Sequence, residues 1–236
     1  MISVVIPAYK GEEFLDEAMA SVESQDFIDR EVVLVDDGSP VPLKPPDYVR
    51  CIRQTNQGAP AAYNRGIRES RGELIAFLDI DDMWAPGHLS RLHAALLNNP
   101  DAGIAQGRMQ QLSGDRISSP YRMPYIQSCI FRREVFDVCG LLDESMPLGE
   151  DYDLMYRCWE KDILKINVDE VSFIYRRHAG NISRGNNLRS HVYVMKRRVD
   201  RIRSGQVDPR EKRRFAFAEY MGDPEGASQW ALWSAS

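Results

Sequence analysis

The sequence predicts an α/β fold: a mostly parallel sheet flanked by helices, followed by a helical C-terminal extension. Two observations carry this. Up to about residue 100, short apolar, β-branched runs alternate with stretches of helical periodicity, the pattern of βαβ units. The apolar runs are continuous rather than alternating, which suits strands covered on both faces.

The elements follow in order. "ISVVIP" (2–7) reads as a strand ended by proline. Residues 11–25 place Phe14, Leu15, Ala18, Met19 and Val22 at helical spacing. "EVVLV" (31–35) is a strand stopped by "DDGS", and the proline-rich loop 40–47 leads to a strand near "YVRCIR". Residues 59–70 read as helix and 73–78, "ELIAFL", as a buried strand. Residues 86–99 open on Pro86 and line up Leu89, Leu92, Leu96 and Leu97. Beyond residue 110 the pattern loosens. Helices are expected near 132–138 and 150–161, strands near 163–168 and 171–176, and helix over 186–236 with breaks near Gly205–Pro209 and Gly222–Pro224. This divides the chain into a catalytic domain, 1–183, and a helical extension, 184–236. The domain has a nucleotide-binding half, 1–110, and an acceptor-side half, 111–183.

Composition narrows the function classes. With 236 residues, 43% hydrophobic and 28% charged, a full core is expected. The net charge of −5 argues against a nucleic-acid partner. Cys51, Cys129, Cys139 and Cys158 form no CxxC pair, so neither a zinc site nor a disulfide framework is expected. A reducing, cytoplasmic setting fits. The N-terminus reads as a strand rather than a signal peptide, and no apolar run is long enough to span a membrane.

The chemistry lies in the acids. "VVLVDDGS" and "LIAFLDIDD" each run a buried strand directly into clustered aspartates. Ligands of open parallel sheets bind outside the carboxyl ends of the strands. Asp36, Asp37, Asp79, Asp81 and Asp82 therefore fall on one sheet edge. In extended backbone Asp79 and Asp81 share a direction. Clustered carboxylates away from water need a compensating cation, and hard oxygen ligands suit Mg²⁺ or Mn²⁺.

These stretches stand beside "VVIPAY" (4–9), "NQGAPAAYNRGI" (56–67), "FLDIDDMWAPGHL" (77–89), "GEDYDL" (149–154) and "YRRHAGNIS" (175–183). In that order they resemble glycosyltransferase family 2: inverting, nucleotide-sugar-dependent enzymes with the Rossmann-like GT-A fold. The match spans about residues 2–183.

The resemblance implies roles. Pro7 and Tyr9, at the end of the first strand, would border the nucleotide base, with Tyr9 stacking near uracil. Asp37 would accept a hydrogen bond from the ring N–H. "DIDD" corresponds to the family's DXD-type element, with Asp81 on the metal and Asp79 reaching the ribose or a metal-bound water. Asp82 is expected to cap the helix beginning near Pro86. Asp151 would act as general base on the acceptor hydroxyl, with Glu150 orienting neighbouring groups. His178, beside Arg176 and Arg177, would join the metal or the diphosphate. The donor would be a nucleotide sugar, UDP-linked first of all, and the acceptor a carbohydrate or a lipid-linked molecule. Two other functions compete. A sugar nucleotidyltransferase would carry a glycine-rich basic signature that "PAYKGEEF" lacks, and a non-catalytic binding module would tend to lose the acids that "DIDD" and "GEDYDL" keep.

The extension has its own pattern. Between Arg184 and Arg214 stand eleven Lys or Arg against three acids, Asp200, Asp208 and Glu211. Val192, Met195 and Val199 make an apolar stripe beside them. The stripe either packs on the domain with its charges solvated, or rests on an anionic membrane surface.

Overall fold

The computed structural model describes residues 1–181 and 187–222. One sheet runs through it. The first half supplies β1 (Ile2–Ala8), α1 (Glu12–Glu23), β2 (Arg30–Asp36), β3 (Val49–Arg53), α2 (Ala59–Glu69), β4 (Leu74–Phe77), β5 (Met83–Trp84) and α3 (His88–Asn98). The second half supplies β6 (Ala102–Ser113), β7 (Arg116–Ile117), β8 (Cys129–Arg132), α4 (Glu134–Cys139), α5 (Glu150–Glu160), β9 (Leu164–Arg176), α6 (Asn187–Arg203) and α7 (Phe217–Met221). The strand order is β3-β2-β1-β4-β8-β6-β9-β5, with β7 on β6. β1 pairs in parallel with β2 and β4, β2 with β3, and β6 with β9; β8 runs antiparallel between β4 and β6.

Two-sided burial explains the continuous apolar runs. On β1, Ile2, Val4 and Ile6 face a core shared with Leu15, Met19 and Val22 of α1 and Leu89, Leu92 and Leu96 of α3. Val5 faces the opposite core, with Tyr63 and Ile67 of α2, Phe77, Phe131 and Leu154. Alternate residues point to opposite faces, so both sets must be apolar.

The structure differs from the sequence reading in several places. The strands expected at 163–168 and 171–176 are one strand, β9, which pairs along β6 through several register shifts. β6 and β8 were not expected; β6 reads "AGIAQGRMQQLS", with two glycines and five polar residues where a β-branched run would announce a strand. The extension is helical only over α6 and α7 among the described residues; 182–186 and 223–236 lie outside them. The expected boundary at residue 110 falls within β6.

The extension docks the other way round from the expectation that its stripe packs on the domain with its charges solvated. Val192, Met195 and Val199 are 60%, 45% and 39% exposed. The cations of the inner face are paired with acids of the domain. Arg197 pairs with Asp143 at 2.8 Å, Arg198 with Glu160 at 3.5 Å, and Arg201 with both Asp153 and Glu160 at 2.7 Å. Asp153 and Glu160 are buried on α5 and attract that face. Among the described residues, no helix is long and apolar enough to cross a membrane.

Candidate active site

The loops after β1 and β2 meet at the carboxyl edge of the sheet. Pro7 is buried within β1, opposite Val35. Tyr9 is 49% exposed, with the Lys10 ammonium 5.2 Å from its ring centre. The Lys10 N–H donates to Ser39 Oγ at 2.8 Å, which ties the two loops together. Asp36 turns inward, accepting from the Ser39 N–H and pairing with Arg53. Asp37 is buried and accepts from Gln54 Nε2 at 2.9 Å, the Gln57 N–H at 2.9 Å and the Gly58 N–H at 2.8 Å. A carboxylate has about four lone-pair positions, so one remains for a ligand donor.

After β4 the chain turns sharply, and the Asp82 N–H bonds back to the Asp79 carbonyl at 3.1 Å. This turn, rather than extended backbone, brings the acids together. Asp79, Asp81 and Asp82 each bring a carboxylate oxygen within 4.8 Å of the others. Asp79 is braced on both oxygens: Tyr63 OH donates to Oδ1, and Gln127 Nε2 donates to Oδ2 at 2.8 Å and to Tyr63 OH at 2.8 Å. Burial, and then the charge of Asp81, push Asp79 up to about 7. Asp81 Oδ2 stands 2.9 Å from His178 Nε2 and 3.3 Å from Asn181 Nδ2.

Asp82 corrects the sequence reading. It does not cap the following helix, whose N-cap is Gly87 with no side-chain cap bond. It is buried, and its Oδ1 accepts from the Arg176 N–H at 2.7 Å. Burial and the charges of Asp81 and Asp79 hold its carboxyl well above the usual range. Arg176 also donates from Nε to the Asp81 carbonyl at 3.0 Å, so the end of β9 clamps the turn.

Glu150 and Asp151 open α5. Gly149 sits before them at φ 82°, a left-handed conformation that an L side chain rarely adopts. A Cβ at Gly149 would also stand 3.1 Å from Ser190 and Val194 of α6, so the turn is pressed between two helices. Asp151 Oδ1 accepts from the Tyr152 N–H at 2.7 Å. Burial, then the charge of Glu150, raise Asp151 well above the usual carboxylate range, and Asp79 adds to the effect. Burial also raises Glu150, whose charge in turn acts on Asp79 and Tyr63.

The structure thus gathers Asp79, Asp81, Asp82, Glu150, Asp151 and His178 at one end of the sheet, with Tyr9 and Asp37 on the neighbouring loops. Five carboxylates crowd a setting in which Arg176 stands close, and burial raises Asp79, Asp82, Glu150 and Asp151, with neighbouring carboxylates adding to the effect on Asp79, Asp82 and Asp151. An oxygen-rich, under-compensated donor set of this kind fits a hard divalent cation. Asp81 and Asp82 would hold it, with Asp79 fixed by Tyr63 and Gln127 and His178 at its rim. Sequence reasoning missed Tyr63, Gln127 and Asn181 as partners of the acids. Tyr63 lay inside a recognised stretch, "NQGAPAAYNRGI", but nothing local marked its hydroxyl as aimed at Asp79.

Comparison with known proteins agrees with this geometry. Residues 3–140 match the model of glycosyl transferase family 2. An uncharacterized glycosyltransferase of Nostoc, alr2836, is 32% identical over 58% of this chain and 52% of its own length. The chain therefore spans about half of that relative. Among solved structures, TarS of S. aureus in complex with UDP aligns with a TM-score of 0.63 at 19% identity, over 83% of this chain and 63% of that one. A mannosyltransferase of Pyrobaculum calidifontis in complex with GDP-Man and Mn²⁺ aligns with a TM-score of 0.63 at 16% identity, over 88% of this chain and 66% of that one. At such identities the two structures speak for the GT-A fold alone.

Proposed function

The chain belongs to glycosyltransferase family 2, and on that premise we propose that it is an inverting glycosyltransferase. It moves a sugar from a nucleotide-diphosphate donor, a UDP-sugar in the first instance, to the hydroxyl of a carbohydrate or lipid-linked acceptor. The observation that carries this reading is that the acidic turn after β4 and the acids opening α5 stand close enough at one end of the sheet for their charges to act on one another. One acid group can serve the leaving diphosphate and the other the incoming hydroxyl.

In the reaction the acceptor oxygen attacks C1 from the face opposite the diphosphate. The C1–oxygen bond to phosphate breaks, and its electron pair leaves with the nucleoside diphosphate. The acceptor proton passes to an Asp151 oxygen, whose basicity burial raises. Mg²⁺ or Mn²⁺ at the acidic turn would supply positive charge to the leaving diphosphate. Tyr9 gives the base a face to stack on, and Asp37 offers its remaining lone pair to a ring N–H. His178 and Arg176 hold the acidic turn in shape. The donor is bound by 1–110 and the acceptor by 111–183. The setting is the reducing cytoplasm, at the inner face of the membrane; the four cysteines are free thiols.

TarS was solved with UDP and with UDP-GlcNAc, and the mannosyltransferase with GDP-Man and Mn²⁺, which supports both the donor class and the metal. The test is calorimetric titration with UDP in Mn²⁺ and in excess chelator. Wild type should bind only with the metal, and Asp81→Ala should lose the metal dependence while unfolding like wild type. Equal affinity in Mn²⁺ and chelator for the wild type would refute the metal's part.

A further inference from the structure

Beside Asp151 the structure carries a slot that the donor chemistry does not use. It lies between α5, α6 and α7, has a volume of about 270 Å³, and is lined by Tyr152, Tyr156, Val194, Met195, Phe217 and Arg122, among others. Its wall begins at the residue next to the proposed base. Tyr152, one of its walls, donates its N–H to Asp151 Oδ1. Val194, a second wall, touches the position where a Gly149 side chain would stand. The walls brace one another: the rings of Tyr156 and Phe217 are 4.3 Å apart, and Tyr156 OH stands 3.6 Å from Met195 Sδ.

The walls of the slot are mostly aromatic and aliphatic, with Arg122 and His191 as the nitrogen-bearing side chains. Arg122 is 6% exposed and donates from Nη2 to the Val168 carbonyl at 2.9 Å, while its buried Nε makes no hydrogen bond. A cleft that needs only a hydroxyl at Asp151 has no use for aromatic and thioether walls next to it. Ligand sites span roughly 300–1,000 Å³, so this slot takes one limb of a molecule. Its outer wall, Met195, is shared with the exposed stripe of Val192 and Val199, so the slot opens onto an apolar strip at the surface.

We propose that the slot holds the hydrocarbon limb of an amphiphilic acceptor, whose hydroxyl-bearing head lies at Asp151 and whose chain passes between α5 and α6 onto the stripe. This rests on the glycosyltransferase reading for the position of the head. Arg122 Nε is the donor for a polar atom where head and chain join. The extension is then the part of the protein that selects the acceptor.

The experiment titrates decyl β-glucoside, below its micellar concentration, and methyl β-glucoside into the protein loaded with UDP and Mn²⁺. The decyl compound should bind at least about fifty-fold tighter, the effect of burying some three methylene groups. Met195→Glu changes an exposed wall, and Ala218→Trp fills the slot from an exposed position of α7. Each should abolish the chain-length advantage while leaving UDP affinity unchanged. Equal binding of the two glucosides, or a decyl advantage that survives either variant, would overturn the proposal. Absence of UDP binding by the wild type would instead refute the function on which it rests, and the glucoside titrations repeated without nucleotide would still judge the slot.

Discussion

Arg201 joins the extension to the catalytic domain, and removing it should undock α6. Its Nη1 lies 2.7 Å from Asp153 Oδ1 and its Nε 2.7 Å from Glu160 Oε2. Both acids are buried, at 1% and 6% exposure. Their charges outweigh the cost of burial to the guanidinium and raise Arg201 above its ordinary value. Breaking a buried pair by removing one partner costs roughly 3–5 kcal/mol, because the other charge stays behind unpaired. Here each acid keeps a second cation: Arg157 stands 2.8 Å from Asp153, and Arg198 3.5 Å from Glu160. The loss for Arg201→Met should therefore fall near the lower end, about 3 kcal/mol. Most of it should arise at Glu160, whose remaining partner is the more distant. Urea unfolding followed by circular dichroism would show a lower midpoint, and adding Glu160→Gln should recover about half of the loss. Under conditions where the variant is still folded, UDP affinity should be unchanged and acceptor KM raised, since α6 walls the slot proposed for the acceptor. A loss below about 1 kcal/mol, the value of a surface pair, would refute the anchoring role. So would a double variant no more stable than the single one.

Three further outcomes are expected. Asp151→Asn keeps the size of the proposed base but cannot take the proton, so kcat should fall by about 10²–10⁴-fold with donor affinity nearly unchanged; turnover like the wild type would move the role to Glu150. His88 is fully buried against Trp84, ring centres 4.3 Å apart, and burial, then Arg91, lower it from 6.5 to about 3. The unfolded chain takes a proton below about 6.5 that the native state refuses until about 3, so stability should fall with pH across that window, by up to about 1.4 kcal/mol per unit. His88→Phe keeps the stack and should unfold with a shallower acid slope; an identical slope would exclude His88 as its source. Finally, the outward face of α6 sets Arg189, Lys196 and Arg203 among the exposed Val192 and Val199. It should give weak, salt-sensitive co-sedimentation with anionic liposomes, each cation adding about 1 kcal/mol. Lys196→Glu with Arg203→Glu should abolish this, and equal sedimentation of variant and wild type would leave the face as plain surface.

What the sequence made legible, and what it did not, follows from how far apart the interacting groups stand. β1, β2 and β4 could be read because burial on both faces forces a continuous apolar run, and β2 and β4 lead into acids within a residue or two. β6 and β8 gave no such signal, since a strand held between neighbours on both sides is stabilised by them whatever its own propensity. The same division runs through the site. "DIDD" could be read as a cluster, but its bracing by Tyr63, Gln127, Asn181 and Arg176 depends on residues distant along the chain. Asp82 shows local reasoning losing to tertiary structure: an aspartate shortly before a helix is a good cap by rule, yet the Arg176 N–H of a distant strand claimed it. α6 is the sharpest case. Its periodicity shows a stripe and a cationic face, and apolar burial ordinarily decides which face turns inward. Asp153 and Glu160 reverse the outcome. On α5 they look like ordinary solvated acids, but they lie on its buried side, where an unpaired carboxylate costs more than an exposed valine. The guanidinium groups of α6 must therefore face the domain, and that in turn forces Val192, Met195 and Val199 outward beside the slot.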